Sequence, residues 1–235
     1  MLKKAFTLAE VLVTLGIIGV VAAMTMPTLI NNTGNEKYVA KLKKVQSLLG
    51  QATINAVEEH GMIQDWGFRD GSNDQINRIY EYYAKSLKVA KDCGNDTTNP
   101  CTAHERMQTL AGTQTGWNNA VGMGGNIRSF TLADGTTIFM DGYCSNEDKN
   151  LFGVTRNTLS NFVLFLVDVN GDKKPNKLGR DIFLFLLTQD GIVPAGADVS
   201  ANDSDCKQGG AGYHCTARVI QEGMNYSVSY THLTL

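Results

Sequence analysis

Proline is scarce in this chain, with 4 residues against 24 glycines. With a moderate apolar content, that balance fits a loop-rich soluble domain. No G-x-S-x-G, no H-E-x-x-H and no P-loop occurs, so catalysis finds little support in the sequence. Asp and His are scattered without catalytic spacing. No basic stripe exists, the net charge is −2 and the pI is near 6.1, so nucleic acid is not an expected partner. No C-x-x-C pair is present and histidines are few, which argues against zinc. No internal repeat is visible. The most telling absence is charge: Val11 to Ile30 contains none.

At about 1.5 Å per residue, such a run crosses a hydrocarbon core of roughly 30 Å as a helix. Lys3 and Lys4 precede it, which favours a cytoplasmic N-terminus. A removable secretory signal ends in a small-residue cleavage site. Here Met26-Pro27-Thr28-Leu29-Ile30 follows instead, so the segment is expected to stay on the protein. One acid, Glu10, stands at the lip of the run. A charge at membrane depth costs about 2.5–3.5 kcal/mol on insertion scales, so it implies a function and a partner. The plainer reading places Glu10 at the interface, reaching water.

The string Ala5-Phe6-Thr7-Leu8-Ala9-Glu10, followed by the apolar run, resembles the class III leader of type IV pilins and type II secretion pseudopilins. The resemblance implies cleavage by a prepilin peptidase between Ala5 and Phe6, with methylation of the new amino group. It places Glu10 on the family's assembly glutamate, paired with a methylated Phe6 amine. Pro27 falls where many of these proteins carry a helix-kinking proline. Ala5 departs from the usual glycine. The motif spans about a tenth of the chain and is highly specific.

Beyond the span, Asn31 to Gly34 is polar and helix-weak. Tyr38, Leu42, Val45, Leu49, Ala52 and Ala56 then recur at steps of three and four, which predicts one apolar stripe on a helix. Gly61 is the expected C-cap, with a bend possible at Pro27 or Gly34. Residues 76–90 predict a second short helix. Ser129–Leu132 and Thr136–Met140 flank Ala133-Asp134-Gly135, a hairpin signal. Asn161–Val169 and Asp181–Thr188 read as apolar strands, and Thr216–Ile220 as a last one. Residues 112–126 read as irregular. A long N-terminal helix before an antiparallel meander is α+β; it is also the pilin-like architecture. The expected organisation is a cleaved leader (1–5), a transmembrane helix (6–30), its amphipathic continuation (31–61) and an extracytoplasmic α+β domain (62–226). Residues 227–235 read as a non-native tail: Val228 to Leu235 resembles translated sequencing-adapter read-through.

The compartment beyond an inner membrane permits disulfides. Cys206 and Cys215 bracket a Gly-rich loop, where a bridge would remove loop entropy worth roughly 2–3 kcal/mol. Such a bridge is similar to the C-terminal disulfide loop of many pilins. Cys93 and Cys101 have similar spacing, which leaves Cys144 over. Five cysteines do not fix connectivity, so a different pairing stays open. Asp168-Val-Asn170-Gly-Asp172 matches the first half of a calcium loop, but Gly179 stands where an EF-hand supplies its glutamate. Asp181 lies two residues later. No cofactor is required. Calcium is one reading of Asp168, Asn170 and Asp172; hairpin turn residues bonded to local backbone are the other.

The resemblance implies a structural, non-enzymatic subunit of a type IV pilus-like or type II secretion pseudopilus filament. Its partners would be a prepilin peptidase, other pilin or pseudopilin subunits, an inner-membrane assembly platform and membrane lipid. A second class compatible with the residues is a monomeric, signal-anchored extracytoplasmic binding module, calcium-dependent or not. An anchored hydrolase is a third. Co-expressed with a prepilin peptidase, the protein is expected to lose residues 1–5 and begin with N-methyl-Phe6. Intact mass decides this: an uncut Met1, or a cut after Ala23, contradicts the resemblance.

Overall fold

The computed structural model describes residues 7–67, 72–95, 101, 107–115, 127–145, 148–156, 161–171, 173–200 and 202–224; for 27–33, 143–145 and 148–149 it describes the backbone alone. The chain forms two compact units, Met1–Lys37 and Tyr38–Leu235. One helix, α1 (Leu8–His60), runs through the boundary and is helical through Pro27 and Gly34. In the first unit its apolar side chains are bare: Leu8 is 78% exposed, Leu12 62% and Met24 74%. Leu8–Met26 is long and apolar enough to cross a bilayer, and none of that window is buried among the described residues.

In the second unit α1 changes character. Leu42, Val45, Leu49, Ala52 and Ala56 are buried, and Tyr38 packs partly buried beside them. Their spacing keeps them on one face, and that face meets a sheet. The helix ends at Gly61, whose φ of +81° is the left-handed conformation that glycine adopts without strain; its N–H donates to the Val57 carbonyl at 3.0 Å.

The sheet has six strands in sequence order, all antiparallel: β1 (Val89–Gly94), β2 (Ile127–Leu132), β3 (Thr137–Ser145), β4 (Asn161–Asp168), β5 (Ile182–Thr188) and β6 (Gly191–Pro194). A second helix, α2 (Asn73–Ala84), lies on the same face as α1. Ser72 caps it, its hydroxyl accepting the Gln75 N–H. Between these helices and the sheet sit Tyr83, Phe130, Met140, Phe165, Val167 and Phe185. The Tyr83 hydroxyl lies 2.6 Å from the Thr53 hydroxyl on α1, so the one polar group of this large buried ring is satisfied. This arrangement is α+β and pilin-like.

The opposite face of the sheet is also buried. Phe139, Phe162, Leu164, Leu166, Leu184 and Leu186 pack there against Met107, Phe152, Val154 and Leu178 from the connections. Burial on both faces explains why β4 and β5 read as unbroken apolar runs rather than alternating ones.

The second helix is shorter than expected. It stops at Ala84, and residues 89–90 already belong to β1. The expected strand over Thr216–Ile220 is instead a helix, α3 (Cys215–Glu222). Among its buried residues, Cys215, Thr216 and Val219 stand at helical spacing, and Arg218 pairs with Glu222 one turn on. Five residues are too few to separate the two periods. Docking decides: the Ala217 N–H donates to the Ala195 carbonyl, and the Leu184 N–H of β5 donates to the Thr216 hydroxyl. Strand β6 was not expected; it is four residues long.

Leu49 is fully buried in the contact between α1 and the sheet. Leu49→Ala should destabilise the folded domain by about 2–5 kcal/mol and leave membrane insertion of residues 8–26 unchanged. Denaturant unfolding and a carbonate-extraction assay measure the two effects separately.

Candidate functional site

The site nominated by the sequence begins with Ala5 and Phe6, which lie outside the described residues. The next residues build a capping box. Thr7 precedes the first turn of α1, and Glu10 is its third residue. The Thr7 N–H and hydroxyl both donate to Glu10 Oε2 at 2.8 Å, and the Glu10 N–H donates to the Thr7 hydroxyl oxygen at 3.3 Å. These contacts supply donors to a carboxylate at a helix N-terminus, where the macrodipole also favours negative charge. In the sequence Glu10 is conspicuous as a charge and Thr7 is not; the Thr-x-x-Glu spacing is the signal that links them.

The hydroxyls further along the run are satisfied internally. Thr14 Oγ1 donates to the Glu10 carbonyl at 2.9 Å, and Thr25 Oγ1 to the Val21 carbonyl at 3.0 Å. Neither needs water, which suits an apolar solvent. Glu10 is therefore the one ionisable side chain among Leu8–Met26.

Residues 1–26 match the family model described as the prokaryotic N-terminal methylation motif. The chain is type IV pilin/pseudopilin-like. The match covers the leader and the first part of α1. No curated protein and no solved structure matches the chain. The motif implies a prepilin-like protein, processed by prepilin peptidase and anchored in the membrane, with an extracytoplasmic domain. Pilin-like proteins are generally structural rather than enzymatic.

The pilin-like domain contains two disulfides among its described residues. Cys93 on β1 joins Cys101, with Cα atoms 5.8 Å apart, and Cys206 joins Cys215 at the start of α3, at 4.9 Å. Cys144 lies on β3, opposite Phe162 of β4; its side chain is outside the described residues.

Of the suggested metal ligands, Asp172 lies outside the described residues. Asp168 Oδ1 accepts the N–H groups of Asn170 and Gly171 at 3.1 and 2.9 Å, a side-chain-closed turn. Asn170 directs its amide N–H at Asp181 Oδ2 (3.0 Å), the Tyr38 hydroxyl and the Lys174 carbonyl. Asp181 is fully buried, and its two oxygens also accept the N–H groups of Asn176 and Lys177. The loop after Pro175 thus folds back onto Asp181. Among the described residues these groups make a hydrogen-bonded turn beneath α1. One further cluster had no sequence signal: Asp203, Asp205 and His214 converge beside the Cys206–Cys215 bridge, from positions with no motif spacing.

Burial pushes the Asp181 carboxyl up to about 6, against the pull of its amide donors. The folded value lies above that of an unfolded Asp, about 3.9. The contribution of Asp181 to stability is thus fully present below about pH 4 and is lost as pH rises through about 6. In Asp181→Asn that titration is gone. The stability advantage of wild type over the variant should shrink from about pH 4 to about pH 6, measured by denaturant unfolding at each pH; a constant gap contradicts the assignment.

Proposed function

We propose that the protein is a structural subunit of a type IV pilus-like or type II secretion pseudopilus filament, assembled through its N-terminal helix. The observation that carries this reading is the bare apolar length of α1 with a single acid held at its start by Thr7. Before assembly the bilayer solvates Leu8–Met26. Inside a filament, the same helices of other subunits would replace lipid.

Glu10 supplies the register. Removal of residues 1–5 would leave a cationic amine on Phe6, next to the capping box. A carboxylate already held by Thr7 and a neighbouring subunit's amine attract across a medium that screens little. A helix displaced along its neighbour would leave Glu10 facing hydrocarbon, at the insertion cost of about 2.5–3.5 kcal/mol. The expected organisation follows: leader 1–5, span 6–30, amphipathic continuation 31–61 and extracytoplasmic domain 62–226. The subunit resides in the inner membrane until an assembly platform extrudes it.

Glu10→Ala should insert at least as well as wild type, because the charge is gone, yet should fail to enter filaments in the native assembly system. Thr7→Val should insert, and incorporate less well than wild type, since the cap contributes about 1 kcal/mol. Quantifying each variant in sheared filament and membrane fractions tests the reading. Normal incorporation of Glu10→Ala would show the charge to be incidental. Wild-type protein that is processed but never leaves the membrane fraction would favour a monomeric anchored module.

A further inference from the structure

Three stretches of chain meet on the hairpin turn Ala133-Asp134-Gly135. From α1, Lys41 Nζ donates to the Asp134 carbonyl at 3.1 Å and to the Val169 carbonyl at 2.9 Å, and Lys44 Nζ pairs with Asp134 Oδ2 at 2.6 Å. From the segment before β1, the Lys88 carbonyl accepts the Ala133 N–H at 3.0 Å. The loop after β4 closes the group. A Cβ on Gly171, whose φ is +67°, would stand 2.7 Å from the Gly135 carbonyl oxygen. Asn170 of that loop donates to the Tyr38 hydroxyl and to the Lys174 carbonyl, both at 3.2 Å.

These segments gather lysines at the end of the folded unit that begins with Tyr38. Lys43, Lys44, Lys88, Lys173 and Lys174 are exposed there, Lys44 over 54% of its side chain even within its ion pair. The acids beside them are engaged or turned inward. Asp134 pairs with Lys44, while Asp168 and Asp181 are buried and accept backbone N–H groups. Asp172 of the same loop lies outside the described residues and can offset one lysine. The chain as a whole carries a net charge of −2, so the positive excess is local to this end.

We propose that this end of the folded unit docks on anionic phospholipid headgroups of the membrane that holds α1. Charge and chain length together name the partner. Lysines clustered beside a membrane span are drawn to anionic lipid, and the attraction fades within a Debye length, about 8 Å at physiological salt. Residues 27–37 alone join Tyr38 to the span Leu8–Met26. So short a tether gives the headgroup layer a high effective concentration at these lysines, an advantage that a soluble anion lacks. Lys41 differs from the others. With its ammonium on two backbone carbonyls, it holds the hairpin turn and the loop after β4 together, so the segments bearing the exposed lysines keep their places. Docking requires only membrane anchoring, so it would apply to a filament subunit and to a monomeric anchored module alike.

Pulse acetylation of the full-length chain in lipid nanodiscs, read lysine by lysine by mass spectrometry, tests the docking. Nanodiscs of phosphatidylcholine alone are compared with nanodiscs in which phosphatidylglycerol makes up a third of the lipid. Acetylation of Lys43, Lys88, Lys173 and Lys174 should slow roughly 2- to 5-fold with phosphatidylglycerol, the equivalent of about one lysine held at an anionic surface, and should recover at high salt. Lys85, paired with Glu59 near the C-terminal end of α1, should react at the same rate in both and reports that the fold is intact. Lys88→Gln combined with Lys173→Gln should weaken the protection of Lys43. Equal rates in the two lipids overturn the proposal, as does protection of Lys43 that the double variant leaves unchanged. Slowing that inorganic phosphate reproduces in phosphatidylcholine alone also overturns it, because the lysines would then hold a free anion rather than a membrane surface.

Discussion

Burial of one face of α1 against the sheet is the contact on which the folded unit depends. Tyr38, Leu42, Val45, Leu49, Ala52 and Ala56 give the sheet a lid along one face. An antiparallel meander with one uncovered apolar face would expose Phe130, Met140, Phe165 and Phe185 together. The helix supplies what the strands cannot, and α2 extends the cover through Tyr80 and Tyr83. The second face is closed more cheaply, by a 3-10 turn and irregular connections. Gly196, which lets the chain pass close to itself at His214, belongs to that side.

The same helix serves two solvents. Its second half is solved by the protein's own sheet, and its first half is left for lipid or other helices. Between Leu8 and Met26 the threonine hydroxyls are bonded to carbonyls one turn back, and Glu10 Oε2 is bonded to Thr7. Under the proposed function, the bare helix and its one acid would govern how copies meet, and the globular domain would govern what is displayed.

How much was legible in the sequence followed from how local each signal was. The charge-free run, the Phe-Thr-Leu-x-Glu string and the stripe after Tyr38 are periodic or contiguous, and they needed no tertiary knowledge. Strands β4 and β5 are continuous apolar runs between turn residues. Helix α3 was misread because Thr216 to Ile220 is rich in β-branched residues and only docking onto Leu184 and Ala195 settles its form. Strand β6 is four residues of Gly-Ile-Val-Pro, too short to stand out. At the site, Glu10 was conspicuous as a charge, whereas Thr7 is an ordinary residue until the box it closes is seen. The meeting of Asp203, Asp205 and His214 depends on a chain reversal that no spacing announces.

The central claim is that the exposed apolar face of α1 is covered by other pilin-like helices once the subunit leaves the bilayer. Site-specific photocrosslinking at Ile17, 60% exposed and within the span, measures this directly. With the crosslinker at Ile17 in the native assembly system, the account predicts protein–protein adducts in the sheared filament fraction and lipid adducts in the membrane fraction. Lipid adducts alone in both fractions, with no protein adduct under assembling conditions, would contradict it.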